Sequence, residues 1–75
     1  MTAAETRTRI VEHIRGRGWV PIRELAAWMR EELKLSRLRG NHELRVLMEM
    51  QQVERNPPEL QWPKRNYEYR VVDDG

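Results

Sequence analysis

Residue types that carry catalysis are scarce in this chain. It has no cysteine, one serine (Ser36) and two histidines, His13 and His42, far apart in the sequence. Disulfides, thiolate nucleophiles and a cysteine–histidine metal site are therefore excluded. Glu12 beside His13, and the pair Glu31–Glu32, have the elements of acid–base chemistry, but nothing around them implies a cleft. The "GRG" at 16–18 is not a phosphate loop, because neither a third glycine nor a Lys-Ser/Thr follows it. The expectation is a protein that is not an enzyme, with no cofactor, no metal and no small-molecule substrate.

Arginine is what the chain has in quantity. Lysine and arginine number 14 against 12 acids, a net charge of +2; all but Lys34 and Lys64 are arginine. The excess is mild, but the type is informative, since a planar guanidinium makes forked contacts to phosphate and to the guanine edge. Lys34, Arg37, Arg39 and Arg45 gather in "KLSRLRGNHELRVL" together with Asn41 and His42. A second group, Lys64, Arg65 and Asn66, follows Trp62 in "WPKRN".

The elements that must position these groups follow from periodicity. The 75 residues make one domain, near the lower limit for a chain that folds on a hydrophobic core alone, where net stability is only ~3–5 kcal/mol. "TAAE" at 2–5 is a capping box, with Thr2 accepting from the Glu5 amide. Ala3, Arg7, Ile10, Val11 and Ile14 then share one helical face, and Gly16 and Gly18 stop the helix. Trp19 and Val20 are a short β-prone pair. Pro21 ends any extended segment and opens a second helix, with Ile22, Leu25, Ala26, Met29 and Leu33 on one stripe. No segment is long and apolar enough to span a bilayer and no signal-peptide run opens the chain, so a cytoplasmic location, away from membranes, is expected.

"LSRLRGNHELRVL" at 35–47 admits two readings. If Ser36 caps a helix, it continues through Gly40, which then faces the core at a cost of about 1 kcal/mol relative to Ala. If Gly40 ends a turn, Asn41 becomes the cap. The continuous helix, about 36–52, is the favoured reading. With Leu44 taken as the inward direction, Arg37, Gly40, Leu47, Met48 and Gln51 lie within about 60° of it; Arg39, His42, Val46 and Glu49 point away, with Arg45 on the flank. "VER" at 53–55 and "YEYRVV" at 67–72 read as strands of a hairpin, about 53–72, with Tyr67, Tyr69 and Val71 on one face. The connection between them is rich in proline and base. Residues 73–75 read as a frayed acidic end.

The expected class is mainly α with a small antiparallel sheet (α+β), in the order helix, strand, helix, helix, strand, strand. Carried by "IVEHIRGRGWVPIRELAAWM", "LSRLRGNHELRVLMEMQQVER" and "WPKRNYEYRVV", this order resembles the winged helix-turn-helix DNA-binding superfamily of small bacterial and phage regulators, with a MarR-like path from third helix to wing. The resemblance covers nearly the whole chain. One departure is the distance from Glu24–Ala26 to Ser36, about four residues longer than usual, which a one-turn extension of helix two through "REEL" accounts for.

The resemblance implies double-stranded DNA as partner, with the third helix in a major groove and the wing on the backbone or in the minor groove. On that reading Arg39 and His42 reach base edges, Arg45 is a further DNA contact on the same helix, Arg37 and Lys34 hold phosphates, and Asn41 suits an adenine edge. Lys64, Arg65 and Asn66 form the wing tip, with Trp62 packed back on the core. A single reader of this size contacts few base pairs, so a homodimer or protein partner is expected. The rival reading is a winged-helix module for protein partners, using the third helix, with its apolar Val46 and Met50, and the wing.

Overall fold

The computed structural model describes residues 2–58 and 67–72. Among them the chain forms, in order, α1 (Ala3–Ile14), β1 (Val20–Pro21), α2 (Ile22–Glu32), α3 (Arg37–Glu49), β2 (Val53–Asn56) and β3 (Glu68–Val71). The protein is thus mostly helical with a small antiparallel sheet, in the order β1-β3-β2.

Local signals account for most of the boundaries. Thr2 Oγ1 accepts from the Glu5 amide at 3.1 Å and so caps α1. Gly16, at φ +78°, takes the left-handed conformation that turns the chain out of α1. Pro21 is the last residue of β1 and also precedes the first turn of α2, a place where its missing N–H costs nothing. The sheet takes over there: the Ile22 amide donates to the Tyr67 carbonyl at 2.7 Å. The Met29 carbonyl accepts from both Leu33 and Leu35 amides, and Lys34 at φ +57° swings the chain toward α3.

The opening of α3 is settled by its cap. Ser36 is extended and its hydroxyl accepts from the Arg39 amide at 3.2 Å, so the helix starts at Arg37 and runs unbroken through Gly40. Gly40 is buried, and a β-carbon there would lie 2.9 Å from Met29 Cε and 3.2 Å from Met29 Sδ. The missing side chain leaves room for the end of the Met29 side chain of α2 to pack against α3. At the other end α3 stops at Glu49 rather than near 52. Gln51, at φ +61°, donates to the Met48 carbonyl while Gln52 donates to that of Leu47. This is a Schellman motif with glutamine where glycine is usual.

The three helices and the sheet enclose one core. Ile10, Val11 and Ile14 of α1 meet Leu25 and Met29 of α2, with Leu33 just beyond it, Leu44 and Leu47 of α3, and Val20, Val53, Tyr67 and Tyr69 at the sheet. Tyr69 pairs with both Val20 and Arg55 across β3; its burial pushes the phenol pKa up against the opposing pull of Arg55. Trp28 is half-buried, off the main α2 stripe, and its ring stacks on His13 with centroids 4.0 Å apart. One face of the Trp28 ring is thus already covered within the protein.

Candidate functional site

The inward direction of α3 is not the one Leu44 alone suggests. Gly40, Glu43, Leu44 and Leu47 are its buried residues, and at 100° per residue their centre lies roughly 50° from Leu44, on the Glu43 side. A charged residue is therefore part of the core face. Glu43 is only 1 % exposed, and its Oε2 accepts from Arg7 Nη1 of α1 at 3.0 Å. Oε1 faces Arg39 Nε at 3.6 Å, an electrostatic approach too long for a good hydrogen bond. Two guanidiniums thus face the buried carboxylate, Arg7 from α1 and Arg39 from α3 itself.

This rotation rearranges the candidates. Arg37, placed near the inward sector by the Leu44 reference, is exposed, because the buried face turns away from it toward Glu43. Arg45, expected on the flank, lies near the middle of the outward face and is exposed, as is His42. Arg39, expected to point outward, is displaced toward one edge; its side chain is 59 % exposed but shares the Glu43 carboxylate. Asn41 is exposed on the opposite edge. Val46 is half-buried and Met50 is 50 % exposed.

Leu38 was not among the candidates, yet it occupies the centre of the outward face. It is 83 % exposed, and with Asn41, His42, Arg45 and Glu49 it forms an exposed i, i+3, i+4, i+7, i+11 stripe. A leucine in the polar stripe was the available signal. For Glu43 the signal was its i+3 and i+4 spacing from Gly40 and Leu47.

Among the described residues, Arg37 and Arg45 have no carboxylate within ion-pair distance. Arg15, Arg23 and Arg30 are likewise exposed with no carboxylate within ion-pair distance among the described residues, whereas the arginines of the sheet are engaged. Arg55 donates to the Pro57 and Pro58 carbonyls at 3.3 and 3.0 Å and lies over the Tyr67 ring at 4.6 Å. Arg70 pairs with Glu54 and covers the Trp19 ring at 4.5 Å. The wing candidates Lys64, Arg65 and Asn66, and Trp62 beside them, lie outside the described residues.

The residues with acid–base elements are not brought together into such a site. His13 stacks on Trp28, and burial, then the charge of Arg17, hold its pKa below the ordinary histidine value. Glu12 and Arg15 line an open groove of about 340 Å³ between α1 and the residues following α3, together with Gln51, Gln52 and Val71. Among the described residues no cluster of three or more His, Asp or Glu could hold a metal ion, and no helix is long and apolar enough to cross a membrane. Comparisons with protein-family models, curated proteins and solved structures returned no match.

Proposed function

We propose that this chain is a winged-helix protein that binds double-stranded DNA and acts in the cytoplasm as a transcriptional regulator, with α3 in the major groove. The observation that carries the reading is the outward face of α3. It exposes Arg37, Asn41, His42 and Arg45, and Arg39 at its edge; of the two acids of α3, Glu43 is turned into the core, and Glu49 is exposed only at the far end of the helix, one turn beyond Arg45. Removing Glu43 from that surface matters, because a carboxylate there would repel phosphate and cancel an adjacent guanidinium. Arg37 and Arg39 are assigned to phosphates at the helix entry, Arg45 and His42 to base edges, Asn41 to an adenine edge. Lys64, Arg65 and Asn66, from the β2–β3 connection, are assigned to the backbone or the minor groove.

The test is fluorescence anisotropy of a labelled random-sequence duplex at several salt concentrations. With about six phosphate contacts, affinity falls by ~10³-fold between 50 and 200 mM salt. No binding from folded protein at ~50 mM salt removes DNA as the partner. A second reading, a module for a protein partner, draws on the exposure of Leu38 and Met50. It predicts that Met50→Asp abolishes capture of that partner while Arg37→Ala and Arg45→Ala do not.

A further inference from the structure

Leu38 is an anomaly on the face just described. It lies in the first turn of α3, which the Ser36 cap holds in place, and at 83 % exposure it belongs neither to the core nor to the hydrophobics packed around it. Its neighbours one turn along are Asn41 and His42, with Arg45 beyond, all exposed. An apolar protein patch is a poor match for this leucine. Seating one there would strip water from Arg37 and Arg45 without giving their charges a partner.

A duplex meets both demands. Its phosphates match the flanking guanidiniums, and its major-groove edges are hydrogen-bonding groups with one apolar exception, the C5-methyl group of thymine. In helix-turn-helix docking the N-terminal residues of the reading helix are those that meet base edges, and Leu38 is the second residue of α3. We infer that Leu38 is a specificity-determining residue that reads a thymine methyl group, so that the DNA site contains a T·A pair facing the first turn of α3. The inference rests on the proposal that α3 reads duplex DNA. It adds what that proposal leaves open: an apolar contact that selects thymine over cytosine.

The experiment begins by selecting duplexes from a random-sequence pool with the wild-type protein. Each thymine of a selected duplex is then replaced singly by deoxyuridine, which lacks only the methyl group. Binding is measured for wild type and for Leu38→Ala, with thermal melting to verify the fold. At one position the replacement weakens wild-type binding about four-fold, the value of one buried methyl group, and leaves Leu38→Ala unaffected. Equal losses in both proteins at every position, or no loss at any, overturn the assignment while leaving DNA binding standing. Failure of the wild type to bind any duplex overturns the assignment together with the DNA reading. Unchanged DNA affinity alongside self-association that disappears in Leu38→Ala also overturns it, and makes Leu38 a contact between copies.

Discussion

The arginines of α3 and those of the sheet are the same residue in opposite employment. Arg55 and Arg70 have their charge and their flat faces occupied, by the Pro57 and Pro58 carbonyls and Tyr67 in one case and by Glu54 and Trp19 in the other. Arg7 joins them, since it answers the buried Glu43. Arg37 and Arg45 have no such acidic partner among the described residues, and Arg39 is intermediate, sharing a carboxylate with Arg7. The fold thus ties Arg7, Arg55 and Arg70 into the protein and leaves Arg37 and Arg45, like Arg15, Arg23 and Arg30 on the other helices and the turn after α1, without an ion pair among the described residues. Net charge, at +2, conceals that division because it counts both kinds equally.

Substitutions on the two sides of this division have opposite signatures. The largest effect belongs to Arg7→Ala. It leaves Glu43 buried with only the more distant Arg39 for compensation, and costs about 3 kcal/mol in chemical denaturation. Arg7→Leu combined with Glu43→Leu recovers most of that loss, because the cost comes from a stranded charge and not from lost attraction. A cost below about 0.5 kcal/mol for Arg7→Ala, the range of ordinary surface changes, refutes an internal role for that arginine.

The next effect sets the two regions directly against each other. Arg37→Ala, which removes a phosphate contact, reduces the steepness of log K against log salt by about 1. Arg45→Ala, which removes a base-edge contact, relaxes specificity, and each of the two shifts stability by no more than about 0.5 kcal/mol. Arg55→Ala does the reverse: it removes charged hydrogen bonds to two carbonyls and lowers stability by about 1–2 kcal/mol, with the salt slope unchanged. Equal changes in slope from Arg37→Ala and Arg55→Ala erase the distinction.

The smallest effect concerns His13, which faces Trp28 rather than the proposed ligand. Burial, and then Arg17, depress its folded pKa below the unfolded value near 6.5. The unfolded chain therefore binds more protons in the window below 6.5. His13 contributes its stability fully above that value, and the contribution is lost as pH falls through the lowered folded pKa. A protonated ring would gain some cation–π attraction to Trp28, which limits the loss. Melting temperatures compared at about pH 7.5 and about pH 5.5 fall further for wild type than for His13→Gln. An identical fall in both assigns the acid sensitivity elsewhere.

Local chemistry written in the sequence accounts for the elements. The Thr2 and Ser36 caps, Gly16 at the end of α1 and the apolar stripes of α1 and α2 act within a few residues of chain. So does the alternation of Tyr67, Tyr69 and Val71 into and along β3. They specify a mainly helical protein with a small antiparallel sheet. The choice between the two openings of α3 needed more, because Gly40 is tolerable in a helix interior when another helix packs against it, and that helix is α2 through Met29. The division of the arginines lay further out of reach. Arg7 and Glu43 are 36 residues apart, and a 3.6-residue periodicity that assigns charge to the outside has no means of placing a carboxylate inside. Only the packing of α1 against α3 brings a guanidinium to Glu43, making its burial affordable and rotating the exposed face onto Leu38, His42 and Arg45.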